Sequence, residues 1–293
     1  MRGTIARRIE STLRCTPPPS LYLSAALSFD EDIALRPAGD GVHEGEIRGG
    51  WWTPRGPLGG YVMALMLAGL ERAVGDPARS PRSCTMHFLR PPRAGAVTVR
   101  TTVERAGRTL TSVSGRLEQD GKLMGLALGA FSTPWESPLL NDSPIPDVDP
   151  SEGRTTTGAR SIPDTIPPPF VERMVFQHRF GPPLFSGAEH GEVGGWLGLR
   201  EQRPLDAPAV AMLADAWFPA PWPRLRALAP APTIDLTIHF RSPLPLPDGL
   251  LLGRFRTRLV RDGFFEEDGE LWAPDGTLVA QSRQLGLLIG AEV

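Results

Sequence analysis

Two stretches of the chain are apolar all round, which is unusual for helices. In the first half, a Gly59-Gly60 pair precedes the helix formers of residues 61–70. In the second half, Asp206 as N-cap and Pro208 in the first turn precede an apolar run over residues 209–217. A helix without a polar face must be covered on most sides. The pattern therefore predicts two central, buried helices.

Alternation of apolar and polar residues predicts antiparallel strands around each helix. In the first half the alternation spans residues 97–103, 111–119 and 123–131, with a hairpin turn at Asp120-Gly121. In the second half the predicted strands cover residues 196–200, 233–240, 251–260, 264–272 and 278–289, with the equivalent turn at Asp275-Gly276. Each half thus has one buried helix followed by a run of strands.

The two halves are also related in sequence. The segment that begins at Met86 (Met-His-Phe-Leu-Arg-Pro) matches the one that begins at Ile238 (Ile-His-Phe-Arg-Ser-Pro). The offset between matching positions drifts only from 152 (Met86 to Ile238) to 156 (Arg105 to Arg261). The sequence therefore predicts a duplicated unit, and polar residues found in one copy alone are not demanded by the fold.

The sequence divides into four parts. A loose tail is expected over residues 1–20, the first unit over 21–133 and the second over 170–293. Residues 134–169 are rich in Pro, Ser, Asp and Thr and have no sustained apolar period, which predicts an extended linker. A sheet wrapped around one helix is the hot-dog arrangement. We therefore expect an α+β double hot-dog whose two sheets pair edge to edge, which removes two exposed edges.

Composition excludes several classes of function. The 293-residue chain has a net charge of −2, so we expect no nucleic-acid partner. No segment is long and apolar enough to predict a membrane span. The two cysteines, Cys15 and Cys84, form no metal-ligand spacing, which favours a reduced, cytoplasmic protein without a metal site. A Gly-rich phosphate loop and a G-x-S-x-G nucleophile elbow are both missing from the sequence. We also expect no cofactor.

Asp215 is the first candidate for chemistry, because it is a charge inside the second apolar helix. An ionised carboxylate there is costly unless it is partnered or used. Two other interpretations stay open: Asp215 faces a wet seam between the copies, or the helix ends earlier than predicted.

Gln284 lies in the last predicted strand, where the first copy has Gly129 and an entirely apolar stretch. Thr233 begins an earlier strand and is by itself a weak signal. Thr237 has a counterpart in the first copy, Thr85, so we expect it to be structural. His87 and His239 are likewise shared between the copies and are expected to belong to the fold.

These residues resemble the acyl-CoA thioesterase II family of tandem hot-dog proteins. The matching pieces are Leu213-Ala214-Asp215, Thr233-Ile234-Asp235, Asp275-Gly276-Thr277-Leu278 and Gln284-Leu285-Gly286 in the second half, with Gly59-Gly60-Tyr61 and Met86-His87-Phe88 in the first. The resemblance implies an acyl-CoA substrate and a water held and activated by Asp215, Thr233 and Gln284. The segment Ala216-Trp217-Phe218 after Asp215, with its bulky Trp217, departs from the family pattern, which leaves the acyl specificity open.

Two other functions remain possible for such a scaffold. One is a non-catalytic module that binds acyl-CoA or lipid, and the other is a hydratase or dehydratase. The stripe of Arg254, Arg256 and Arg258 fits either CoA phosphates or a neighbouring subunit, but a solvated strand face explains it more simply. The sequence leaves the assembly open, a homo-oligomer of double units included.

Overall fold

The computed structural model describes residues 28–157 and 167–291. The predicted tail over residues 1–20, Cys15 and residues 158–166 of the predicted linker lie outside the described residues. Within the described parts, no helix is long and apolar enough to cross a membrane.

The first half consists of a short helix, two pairs of hairpin-forming strands, a long helix and four further strands. Its helices are α1 (Phe29–Asp32) and α2 (Gly59–Val74), and its strands are β1 (Arg36–Gly39), β2 (Val42–Ile47), β3 (Trp52–Thr53), β4 (Gly56–Pro57), β5 (Ser80–Phe88), β6 (Gly95–Ala106), β7 (Leu110–Gln119) and β8 (Lys122–Ser132). Helix α2 ends at Gly75, whose left-handed backbone (φ 64°) suits glycine.

The second half repeats this order with a shorter central helix. Its helices are α3 (Pro169–Glu172) and α4 (Ala207–Leu213), and its strands are β9 (Met174–Phe180), β10 (Gly191–Leu199), β11 (Thr233–Phe240), β12 (Leu251–Thr257), β13 (Val260–Arg261), β14 (Phe264–Trp272) and β15 (Leu278–Leu287). As predicted, Asp206 caps the helix by accepting a hydrogen bond from the Ala209 amide at 3.0 Å.

A single antiparallel sheet of 13 strands runs through both halves. Its order is β1-β2-β6-β7-β8-β5-β11-β15-β14-β12-β10-β9, with β13 added beside β14. The halves join where β5 pairs with β11, and there Thr85 lies opposite Thr237. The central helices pack against each other beneath this sheet, and most of α2 is buried. This arrangement confirms the predicted double hot-dog with its edge-to-edge pairing.

Several predicted boundaries were wrong, and the strands predicted over residues 251–260 and 278–289 end earlier, at Thr257 and Leu287. The second helix ends at Leu213 and not at Trp217, because the chain tightens into i to i−3 hydrogen bonds from Asp215 to Met212 and from Ala216 to Leu213. The strand predicted over residues 196–200 begins at Gly191 and ends at Leu199. A preceding strand, β9, was missed, as was the β1–β2 hairpin of the first half.

The predicted linker is attached to the second half along its described part. Trp272 donates its indole N–H to the carbonyl of Ser143 at 3.0 Å, and Trp196 donates to the carbonyl of Asp149 at 2.8 Å. The buried Gln177 amide donates to the carbonyls of Gly153 and Thr155. The segment therefore packs along the second half of the sheet rather than spanning open space. The exact limits of the two units stay a prediction.

Candidate active site

Thr233 and Gln284 are in direct contact on the inner face of the sheet. The Thr233 hydroxyl donates a 2.6 Å hydrogen bond to Gln284 Oε1. Thr233 is the first residue of β11, and a register shift between Thr233 and Asp235 places it next to β15. Such a bulge redirects a side chain that regular pairing would aim elsewhere. Two of the three predicted site residues are therefore brought together by a local irregularity.

Asp215 lies in the turn that follows α4 and faces the start of α2. Its Oδ2 accepts a 2.6 Å hydrogen bond from the backbone amide of Gly60. The side chain is partly exposed, yet the surrounding protein desolvates the carboxyl and raises its pKa from 3.8 to about 7. The Gly60 hydrogen bond opposes that shift because it favours the ionised form. Asp215 thus lies between the two halves, beyond a helix that ends earlier than predicted, which was one of the open interpretations.

Glu267 is a buried carboxyl beside Gln284 that the sequence interpretation missed. It lies opposite Gln284 in the β14–β15 pairing and is only 5% exposed. Its Oε1 accepts a 2.7 Å hydrogen bond from Gln284 Nε2, and its Oε2 accepts one of 2.6 Å from the Ala220 amide. Burial raises the pKa of Glu267 to about 7, and the negative charge of Asp215 adds to the increase.

A continuous hydrogen-bonded chain therefore crosses three adjacent strands. It runs from the Thr233 hydroxyl to the Gln284 amide and on to the Glu267 carboxylate. The Thr233 hydroxyl donates its hydrogen bond to Gln284, so the oxygen lone pairs of Thr233 remain available as acceptors. Asp215 is linked to this chain through its electrostatic effect on Glu267. Thr233 and Gln284 are therefore in contact, whereas the hydrogen bond of Asp215 within the described residues goes to Gly60.

The first half lacks this polar chain at the equivalent positions. The pairing register aligns Gly129 with Gln284, because Gly129 lies opposite Cys84 as Gln284 lies opposite Leu236. In the same way Val113 takes the place of Glu267, and Pro81 takes that of Thr233. A Cβ atom on Gly129 would lie 2.7 Å from Phe131, so apolar side chains occupy the space. The fold therefore does not require the polar chain.

Aromatic side chains line the segment after Asp215. Trp217 packs edge-on against Phe176 with ring centroids 5.3 Å apart, and Phe218 stacks between Phe176 and Trp222. Both Trp217 and Phe218 are buried. The bulky residues that depart from the family pattern are therefore part of the core beside the candidate site.

The polar residues that the sequence assigned to the fold lie on the outer face of the sheet. The Thr85 and Thr237 hydroxyls are hydrogen-bonded to each other at 2.9 Å, which agrees with a structural role. The arginine stripe is paired with carboxylates: Arg254 with Glu192, Arg256 with Glu270 and Arg258 with Asp268. That pairing is typical of a solvated strand face. Among residues 28–157 and 167–291, no group of His, Cys, Asp or Glu side chains is arranged to hold a metal ion.

Comparison with known proteins gives a consistent result for both halves. The profile of the acyl-CoA thioesterase N-terminal domain matches residues 48–132, and that of the acyl-CoA thioesterase C-terminal domain matches residues 145–288. An uncharacterized protein of Mycobacterium tuberculosis is 26% identical over 301 residues, which cover 89% of this chain and 98% of the relative.

Solved structures with the same architecture are also similar to the chain. A conserved protein of unknown function with a hot-dog fold, from Alicyclobacillus acidocaldarius, has a TM-score of 0.80 at 25% identity and covers 92% of this chain and 100% of its own. A protein proposed to be a thioesterase II, from Thermobifida fusca, has a TM-score of 0.75 at 26% identity and covers 89% of this chain and 97% of its own.

Proposed function

Since the chain belongs to the acyl-CoA thioesterase II family of double hot-dog proteins, we propose that it hydrolyses acyl-CoA to a free carboxylic acid and CoA. The observation that supports this most is the 2.6 Å hydrogen bond between Thr233 and Gln284, in the half that also carries Asp215. Hydrolysis needs an oriented water, a group that takes its proton and a donor for the developing oxyanion. These three residues supply the corresponding groups.

In the proposed reaction, a water donates one hydrogen to Asp215 and the other to the oxygen of Thr233. Its lone pair then attacks the thioester carbonyl carbon while Asp215 takes the proton, and the carbonyl oxygen becomes an oxyanion. The tetrahedral intermediate collapses, the carbon–sulfur bond breaks, and the CoA thiolate leaves with its electron pair. Asp215 returns the proton to the thiolate. A pKa of about 7 suits a residue that must both accept and return a proton near neutral pH.

The oxyanion requires a hydrogen-bond donor. Two N–H groups come into question, the Gly60 backbone amide and the Gln284 side-chain amide. The Gly60 amide, at the start of α2, already donates to Asp215. Gln284 Nε2 gives one hydrogen to Glu267, and its second hydrogen is proposed to bind the water or the oxyanion. One well-placed donor of this kind contributes about 3–4 kcal/mol in other acyl-transfer sites.

Release of free CoA from a panel of acyl-CoA chain lengths, followed with a thiol reagent, tests this proposal directly. Steady thiol release that depends on enzyme concentration is the expected result. Saturable acyl-CoA binding without thiol release would favour a binding module, and addition of water to an enoyl-CoA would favour a hydratase. A cytoplasmic location and a homo-oligomeric assembly stay predictions, which cell fractionation and light scattering respectively test.

A further inference from the structure

The orientation of the Gln284 side-chain amide depends on its neighbours. A primary amide has a carbonyl end and an NH₂ end of nearly the same shape, and its hydrogen-bond partners decide which end points where. Here the carbonyl end accepts from Thr233 and the NH₂ end donates to Glu267. A carboxylate accepts hydrogen bonds only, so while Glu267 is ionised a reversed amide would place its carbonyl oxygen against the Glu267 oxygen.

Glu267 is itself held firmly on both oxygens. One oxygen accepts from Gln284 and the other from the Ala220 amide, five residues after Asp215. Glu267 therefore connects the strand that carries Gln284 with the segment that follows the proposed base. Hydrogen bonds to a buried charged group are the stronger ones in proteins, so this arrangement is well suited to fixing an amide.

The first half indicates that the fold does not need this carboxyl. Val113 occupies the equivalent position, and Gly129 stands where Gln284 would be. A buried carboxyl with no counterpart in the duplicated unit costs free energy through desolvation, which favours a functional explanation. We propose that Glu267 is a positioning residue, which fixes the Gln284 amide so that its carbonyl accepts the hydrogen bond of the Thr233 hydroxyl and leaves the Thr233 oxygen free to accept from the attacking water.

This inference rests on the proposed hydrolysis and is tested first by kinetics. Glu267→Gln keeps the shape but can accept from only one of its two donors, so a reversed Gln284 amide becomes favourable. We expect kcat to fall roughly 10- to 100-fold with little change in KM. Glu270→Gln is the matched control on the same strand, where Glu270 pairs with Arg256 on the outer face, and its kcat should stay within about twofold of wild type.

A double-mutant cycle separates positioning from a merely structural role. If Glu267 acts through Gln284, adding Glu267→Gln to a Gln284→Ala background should change kcat by less than about twofold. The proposal is overturned if Glu267→Gln alone leaves kcat near the wild-type value, or if the two losses multiply. Should Glu267→Gln not fold, Glu267→Met, which keeps the length of the side chain but removes both acceptors, replaces it under the same criteria.

A measurement without turnover distinguishes failure of this inference from failure of the proposed function. The side-chain amide signal of Gln284, assigned by its loss in Gln284→Ala, is expected to shift strongly between wild type and Glu267→Gln in ¹H–¹⁵N spectra. The buried Gln177 amide, whose partners are backbone carbonyls, is the internal control. An unchanged Gln284 signal would refute the positioning role, even if the protein releases no CoA from any acyl-CoA tested.

Discussion

The Gly60 amide donates a 2.6 Å hydrogen bond to Asp215 Oδ2, across 155 residues of sequence. This bond joins the first turn of α2, from one half, to the turn after α4, from the other. A Cβ atom on Gly60 would lie 2.7 Å from the Met212 carbonyl oxygen and 3.0 Å from the Asp215 Cβ. Glycine therefore permits an approach that any larger residue would prevent. The candidate site depends on both halves, even though its polar side chains come from one.

Gly60→Ala is expected to push the Asp215 turn away from α2. The added methyl group cannot fit without movement, which should cost about 1–3 kcal/mol in the free energy of unfolding. Displacing a catalytic group by about 1 Å can cost on the order of 100-fold in rate, so thiol release should fall by that order. Thermal unfolding and thiol-release assays on the same preparation measure the two effects.

Gly249→Ala is the matched control, because a Cβ atom there meets no atom within 4 Å. Its unfolding temperature and turnover should equal those of the wild type. Wild-type turnover in Gly60→Ala would show that the close contact between the halves has no role in the reaction.

Asp215→Asn is expected to remove most turnover while the protein stays folded. Asparagine keeps a carbonyl oxygen that can accept from Gly60 but cannot take a proton from water. Loss of a general base typically lowers the rate by about 10²- to 10⁴-fold. The control is Asp235→Asn on β11, next to the site in sequence but outside the proposed machinery. Equal turnover in both variants would remove Asp215 from the mechanism.

The fold could be predicted from sequence where the signal is local. Alternating apolar and polar residues predicted both ends of β11 and β14 correctly, at Thr233–Phe240 and Phe264–Trp272. The second helix was predicted too long because Ala216 and Trp217 are as apolar as the helix before them. Strand β10 was only partly predicted, since three glycines in its first half hide the alternation.

The site was predictable only in part, for a physical reason. Asp215 and Gln284 stand out because polar residues replace apolar ones, but the contact between Thr233 and Gln284 depends on a register shift that no periodicity reveals. Glu267 was hidden between Glu266 and Asp268 in a run of acids. In the alternation of this strand, Glu267 falls on the same buried face as Phe265 and Leu271. That position was the one signal that could have identified it.

Thr233→Val tests the hydroxyl without changing the shape of the side chain. Valine can neither donate to Gln284 nor accept from water, so the water loses one of its two orienting partners. We expect kcat to fall roughly 10- to 100-fold with the unfolding temperature little changed. Thr237→Val removes a hydroxyl of the same strand that bonds only Thr85 on the outer face, and its kcat should be close to wild type. A similar loss in both variants would indicate damage to the strand rather than loss of a specific contact.

We expect the pH dependence of turnover to follow the ionisation of two buried carboxyls, those of Asp215 and Glu267. Asp215 must be ionised to take a proton, and its pKa is raised to about 7, so kcat/KM should rise with pH to a plateau with a midpoint near 7. Glu267 has a pKa in the same range, and the repulsion between the two charges is mutual, so the midpoint belongs to the pair. Glu267→Gln removes that repulsion and should move the midpoint to lower pH. A midpoint that stays near 4 in the wild type would contradict the assignment.

The raised pKa values of the same two carboxyls also predict how stability depends on pH. Stability should fall with rising pH, whereas turnover should rise. A carboxyl whose pKa is higher in the folded state than in the unfolded chain favours folding while it is protonated. That contribution is complete below the ordinary values of 3.8 for Asp and 4.5 for Glu and is lost as the pH rises through about 7. Raising the pH from 5 to 8 should therefore lower the unfolding temperature of the wild type more than that of Asp215→Asn or Glu267→Gln. Because the groups outside this pair are the same in the three proteins, the difference between their thermal scans reports the two buried carboxyls together with their mutual repulsion. Parallel loss in all three would mean that neither carboxyl is protonated in the folded protein near neutral pH.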